Sequence, residues 1–307
     1  MFSAHIRSLF DLQEMFPTEQ SCIEYLEYIY WNHRPVSPFD PASKIWRCKN
    51  GKYMCKNTGK YFRVTTGTMY ENTKIPLRRW FMAIWLLVNT KDGNPATMLV
   101  EQIGVSYKSA LFLLNRIRPC LAIENYNLLY GKVSGDETFY GGKNKNRHKD
   151  KKVKNAQGRS FKDKKPVAAV YQEGGKITAS VLKNTSRQEL QPFVKKFVKP
   201  GATLITDEWG GYSGLNKRFA HHVVDHSKKL YVTPEGHSSN GVEGFWKIFK
   251  RSAQWTYNHV VHLQRYVDES VFRFNTRDLT TSDRFNWVLA NCGVRTRYKD
   301  LVYGNTY

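Results

Sequence analysis

The sequence predicts an α/β protein: a mostly helical N-terminal region with a small β-ribbon, followed by a mixed α/β domain. Three observations carry this. Apolar residues recur at helical spacing over residues 3–30 and again from Leu77 to Arg118. Between them, from Ile45 to Val64, short β-prone runs alternate with the turn signals Asn50-Gly51 and Asn57-Thr58-Gly59. From Lys132 onward, apolar strand-like runs alternate with turns and amphipathic stretches.

Leu9, Leu12 and Phe16, then Cys22, Tyr25, Leu26 and Ile29, mark two helical pieces broken at Pro17. Pro35, Pro38 and Pro41 make residues 33–43 a loop. Pro76 is suited to start a helix over Leu77 to Thr90. Pro95 to Gln102 reads as one further helix, Gly104-Val105-Ser106 as a tight turn, and Tyr107 to Arg118 as a second helix. That is helix-turn-helix spacing, with Ser106, Lys108 and Ser109 at the start of the candidate recognition helix. An ordinary helical hairpin has the same pattern. Pro119 ends this region.

In the second half, strands are expected at Lys132–Tyr140, Pro166–Tyr171 and Ile177–Leu182. A helix from Arg187 to Phe197 follows, with Thr185-Ser186 as its cap, then a strand ending at Asp207 and a short one at His222–Asp225. Helices around 239–252 and 258–275 complete the chain. Three strands, helix, strand, short strand, helix is the order of an RNase H-like domain. The boundaries read as a helical segment at 1–30, a β region at 31–75 and the helix-turn-helix region at 76–120. A linker at 121–131 leads to the α/β domain at 132–307. Gly141 to Lys165 holds eleven Lys or Arg and two Asp, a basic insertion loop too polar to pack.

Lys and Arg number 48 against 26 Asp and Glu, a net charge of +22 spread along 307 residues. Phosphate neutralisation makes a nucleic acid the best partner for such a chain, a basic protein that binds nothing being the alternative. No run approaches the ~20 apolar residues of a membrane span. The first fifteen residues carry Asp11 and Glu14 and lack a signal-peptide core. Five scattered cysteines do not form a disulfide framework, so the expected setting is cytoplasmic, nucleoid-associated if bacterial.

Three acidic positions suit divalent-cation chemistry. Asp136 lies in the strand-like run Lys132–Tyr140, Asp207 ends the apolar run Ala202–Asp207, and Glu243 lies early in a helix. Hard carboxylate oxygens on rigid elements are what Mg²⁺ requires, and a pair of such ions about 3.5–4 Å apart supports in-line phosphoryl transfer. Glu137 and Glu208 alternate to the opposite strand face. Asn240 sits three residues before Glu243 on the same helical face, or serves as the helix cap. Phe245 and Trp246 read as packing residues. Lys247, Lys250 and Arg251 read as phosphate contacts, with a solvated face as the alternative.

The words Gly135-Asp136-Glu137-Thr138-Phe139-Tyr140-Gly141-Gly142, Asp207-Glu208-Trp209-Gly210-Gly211-Tyr212 and His237 to Arg251 resemble those of DDE transposases of the Merlin superfamily and their bacterial insertion-sequence relatives. Thr66-Gly67-Thr68, Lys74-Ile75-Pro76-Leu77 and Gly104–Lys108 extend the resemblance upstream. It implies an RNase H-like core and a transposase acting on transposon ends and target DNA. It further implies two Mg²⁺ ions, with Mn²⁺ able to substitute, and a homodimer or larger assembly on DNA. Asp136 and Asp207 are then metal ligands. Relatives differ at the third position, which leaves Glu243 or Asn240; a charged carboxylate is the stronger ligand. A nuclease or resolvase without strand transfer, and an inactive transposon-derived DNA-binding protein, remain alternatives. Lys149, Lys151, Lys152 and Lys154 are expected to add sequence-independent DNA affinity. Many relatives carry a zinc ribbon of paired cysteines. Here only Cys48 and Cys55 remain in that region, so no zinc is expected, with Trp46, Tyr53, Tyr61 and Phe62 as a replacement core.

Overall fold

The computed structural model describes residues 6–142, 144–154, 163–224, 240–257, 260 and 262–303. The chain divides into two compact units: Met1–Ile123 together with Thr276–Tyr307, and Glu124–Asn275.

In the first unit, α1 (Leu9–Met15) and α2 (Glu19–Trp31) each begin with a capping box, at Ser8 and Thr18, on either side of Pro17. An antiparallel ribbon follows: β1 (Ile45–Arg47), β2 (Tyr53–Cys55) and β3 (Tyr61–Phe62). Its core differs from the sequence expectation. Tyr53, Cys55 and Phe62 are buried, with Trp31 and Ile45 packed on them, while Trp46 and Tyr61 are exposed. The alternation of strand side chains explains this, since Trp46 follows inward Ile45 and Tyr61 precedes inward Phe62. Trp31 takes their place, at 5.4 Å from the Tyr53 ring and 5.9 Å from Phe62.

α3 (Leu77–Asn89) starts after Pro76. α4 (Ala96–Ile103) stops at Gly104, whose φ of 64° suits glycine, and α5 (Tyr107–Leu121) is capped by Ser106. The helix–turn–helix spacing is therefore present. α5 runs through Pro119 to Leu121 instead of stopping before it.

Residues 276–307 fall in this unit and not in the α/β half where the sequence reading put them. α9 (Thr281–Ala290) packs against α2 and α3, and α10 (Tyr298–Tyr303) against α5. Phe285 sits 5.6 Å from the Phe81 ring and 5.9 Å from Trp85. The four segments read from sequence before residue 121 form one unit with this returning tail.

The second unit is a five-stranded sheet with helices on both faces. β4 (Lys132–Tyr140), β5 (Lys165–Gln172) and β6 (Ile177–Val181) are antiparallel neighbours. β7 (Thr203–Asp207) lies parallel to β4, and β8 (Ala220–Val224) parallel to β7. The spatial order is β6-β5-β4-β7-β8. α6 (Arg187–Phe197) covers one face over Val133, Ala168, Val170 and Leu204. α7 (Asn240–Arg251), a π-helical turn at Ser252–Thr256, and α8 (Leu263–Asn275) cover the other over Val167, Ala169, Ile177 and Ala179. This is the expected α/β class.

The stretch 124–131 belongs to the sheet unit and is no free linker. Leu129 is buried and bridges Val198, and Asn125 pairs its side-chain amide with the backbone of Ala179 on β6. Asn275 does the same for Ile177, and Gln264 accepts from the Val181 N–H. Three carboxamides thus occupy outward-facing backbone groups of β6, a means of closing a sheet edge.

Candidate active site

β4 and β7 run in parallel register with Val133 opposite Leu204 and Ser134 opposite Ile205. The ladder ends there; the same offset carried two residues further would bring Asp136 level with Asp207. Strand alternation places Asp136 on the face covered by α7, beside Ala169. Val242, Phe245, Trp246 and Phe249 form the buried stripe of α7 at helical spacing. Glu243, one turn before Trp246, shares the side of the helix that meets Asp136.

The contacts of Asp136 are specific. Its Oδ2 accepts from the Trp246 indole N–H at 2.8 Å, and its Oδ1 from the Glu137 backbone N–H at 2.8 Å. Burial pushes its carboxyl above the usual range; the Trp246 and Glu137 donors pull it down, and the charges of Asp207 and Glu243 push it up again. Asp207 and Glu243 thus each act on Asp136. No basic side chain contributes to that balance, and among the described residues none forms an ion pair with Asp136, Asp207 or Glu243.

Asp207 is held by its own turn. Its Oδ1 accepts from the Trp209 N–H at 3.1 Å, and the Trp209 indole donates to the Thr185 carbonyl at 2.8 Å. A Cβ at Gly211 would stand 2.7 Å from both Leu190 and that carbonyl, so the turn after β7 needs glycine there to pack this closely. Glu137 points to the opposite face, as alternation requires, and accepts from the buried Tyr212 hydroxyl at 2.8 Å. Burial above all, with the Glu137 charge beside it, keeps that phenol protonated. Glu208 is exposed.

The donor set suits a hard divalent cation: carboxylate oxygens, with no ion-paired counter-charge among the described residues. Among the described residues no three acidic, histidine or cysteine side chains stand close enough together to hold a metal ion, so Asp136, Asp207 and Glu243 are not gathered into one cluster. Asp136 and Asp207 nevertheless each keep oxygen lone pairs unused by the hydrogen bonds above.

Asn240 is the first residue of α7, and His237 lies outside the described residues. Lys247, Lys250 and Arg251 are exposed on α7. Lys149, Lys151, Lys152 and Lys154 are exposed in the basic loop, whose residues 143 and 155–162 lie outside the description. The described part of that loop has local order, since Asn144 exchanges two hydrogen bonds with the Val153 backbone and Arg147 pairs with Asp163. In the helix-turn-helix, the Ser106 hydroxyl caps α5 by accepting from the Ser109 N–H at 3.2 Å and lies 3.0 Å from the Ser109 hydroxyl. Lys108 is exposed.

Sequence reading took Trp246 for packing alone and missed its bond to Asp136. The signal was there in its spacing, three residues after Glu243.

Residues 128–275 match the model of the ISXO2-like transposase domain. An uncharacterized transposase-like protein of Haemophilus influenzae is 30% identical over 108 residues, 34% of this chain and 85% of that protein. The chain belongs to the DDE transposase family. An uncharacterized protein of the transposable element ISH50 of Halobacterium salinarum is 24% identical over 235 residues, 72% of this chain and 79% of that one. A chain of a pre-cleavage Mos1 transpososome matches 74% of this chain and 82% of its own at 13% identity, with a TM-score of 0.19, too slight a likeness to bear on the fold. The resemblance to DDE transposases read from the motifs is thus upheld. The transposase-domain match nearly coincides with the second unit and contains Asp136, Asp207 and Glu243.

Proposed function

We propose that this protein is a DNA transposase that binds the terminal inverted repeats of its element and performs metal-dependent cleavage and strand transfer. The observation that carries the reading is the placement of Asp136 and Asp207 on adjacent parallel strands, two residues past the last paired position Ser134–Ile205, with the charges of Asp207 and Glu243 both acting on Asp136. The sheet unit is read as RNase H-like on its strand order β6-β5-β4-β7-β8, with three antiparallel strands followed by two parallel ones.

Asp136, Asp207 and Glu243 are the residues that would hold Mg²⁺ or Mn²⁺. When bound, a cation pair supplies charge stabilisation and activation of the attacking oxygen in phosphoryl transfer. The chain's own contribution is placement. β4 and β7 fix the aspartates relative to each other, α7 fixes the glutamate, and the Asp207 turn is locked by Trp209. Among the described residues no helix is long and apolar enough to cross a membrane.

The exposed lysines divide the DNA-binding work. Lys108, at the start of α5, is placed to reach base edges in a major groove. Ser106 and Ser109 shape the helix start through the cap. Lys149, Lys151, Lys152 and Lys154, with Lys247, Lys250 and Arg251, neutralise phosphates. Action on two ends implies at least two protomers on DNA. The ribbon is read as zinc-free, its aromatic core substituting for a metal.

The test is incubation with Mg²⁺, a labelled transposon end and a target plasmid. Joined products are expected from the wild type. Asp136→Ala and Asp207→Ala are expected to lose cleavage and joining while retaining end binding. Cleavage without joining would reduce the protein to a nuclease, and binding alone to an inactive derivative. Near-normal cleavage by either aspartate variant would overturn the site. Glu243→Gln should lose more activity than Asn240→Ala; the reverse order moves the third ligand to Asn240.

A further inference from the structure

We infer that Trp246 is a positioning residue for the metal-binding carboxylates, its indole N–H holding Asp136 in one orientation; this rests on the reading of Asp136 as a ligand. The indole nitrogen is a donor with no acceptor capacity, and it is aimed at Oδ2 of Asp136 at 2.8 Å. The Glu137 backbone N–H holds Oδ1 at 2.8 Å. With one donor on each oxygen the carboxylate plane is fixed, and a lone pair on each oxygen is left for another partner. A buried indole N–H needs an acceptor, and here the acceptor it meets is the Asp136 carboxylate.

The rest of α7 makes this brace rigid. Trp246 is only 5% exposed and lies against the Phe245 and Phe249 rings, at 5.1 and 6.1 Å. At the start of the helix, a Cβ on Gly241 would overlap the Tyr171 ring, so only glycine lets α7 sit this close to β5. The helix therefore delivers Glu243 and the brace on Asp136 from one face, three residues apart. Displacing α7 would disturb two of the three carboxylates together. Partners that orient a metal ligand in this way typically change metal affinity by about 10–100-fold when removed.

The experiment measures Mn²⁺ binding to the full chain by electron paramagnetic resonance of the free ion, alongside end cleavage as a function of Mn²⁺. Trp246→Phe removes the N–H and some volume. Site-specific replacement of Trp246 by 3-benzothienylalanine removes the N–H while keeping the bicyclic shape, so that it remains informative if Trp246→Phe folds poorly. The expected result for the benzothienyl protein is an unchanged unfolding midpoint and a Mn²⁺ dissociation constant raised about 10–100-fold. Its cleavage should recover at high Mn²⁺. Unchanged Mn²⁺ affinity, or a cleavage defect that excess Mn²⁺ does not repair, would overturn the inference. Asp136→Asn is the control. If it binds Mn²⁺ like the wild type, the carboxylate site itself is misassigned. If it loses Mn²⁺ while the benzothienyl protein does not, only the role of Trp246 fails.

Discussion

Two groups of buried or half-buried acids lie on the same face of the sheet unit, and they are solved differently. On α8, Glu269 is almost fully buried and is answered by Arg273, one turn on, and by the Tyr257 hydroxyl. Its neighbour Asp268 accepts from the amides of Asn125 and Gln264, at 2.7 and 2.8 Å. At the other group, the charges of Asp207 and Glu243 bear on Asp136, and none of the three forms an ion pair among the described residues. Buried charge is tolerated when it is paired and hydrogen-bonded. The α8 acids meet that condition within the chain and hold the fold together. Asp136, Asp207 and Glu243 have no such ion pair among the described residues, which is the contrast the cation site proposed above rests on.

The contrast makes opposite forecasts for one measurement, stability to denaturant. The largest effect is expected at the closed pair. Arg273→Met takes the i+4 guanidinium away from buried Glu269 and should cost about 3–5 kcal/mol. A loss under about 1 kcal/mol in urea unfolding would mean that the α8 pair is not the structural element described.

A smaller, pH-dependent effect belongs to Asp268, whose carboxyl burial pushes up to about 6, against the opposing bonds from Gln264 and Asn125. A folded-state value above the unfolded one means that the folded state holds the proton more tightly. Stability from this group is therefore present at low pH and is lost as pH rises from about 4 through about 6. The difference is on the order of 2–3 kcal/mol. Asp268→Asn keeps an acceptor oxygen and removes the titration. The gap between variant and wild type should thus move in the variant's favour across that window. A gap independent of pH would show that Asp268 does not titrate there.

The smallest stability effect is expected at the open group. Asp207→Asn relieves repulsion without breaking an ion pair, so its unfolding free energy in the absence of divalent metal should match or slightly exceed the wild type's, by under about 1 kcal/mol. Its activity should nevertheless be gone. A loss of several kcal/mol would place Asp207 with the α8 acids as a structural residue.

Much of this was legible beforehand. Helix starts at Leu77, Tyr107 and Arg187 follow from Pro76, Ser106 and Ser186. The strands around Asp136 and Asp207 follow from short apolar runs between turn residues. Ser106 was assigned to base reading, although its short hydroxyl is used as a helix cap. The basic loop was read as shapeless because charge density says nothing of the Asn144–Val153 and Arg147–Asp163 ties. Residues 276–307 were misallocated because α9 has an ordinary amphipathic pattern, which does not say which core it joins.

The sequence by itself determined the element types, the helix-turn-helix spacing, the basic character and the placing of Asp136 and Asp207 on strands, because these rest on local propensity, side-chain period and composition. Only the tertiary structure decided that Trp31 and not Trp46 fills the ribbon and that Phe285 joins the N-terminal unit. It also decided that three carboxamides line the edge of β6, and that an indole 110 residues away braces Asp136. Each of these is a contact between segments distant in sequence. Which donor meets which acceptor is then set by strand register and helix seating, neither of which leaves a mark on the neighbouring residues.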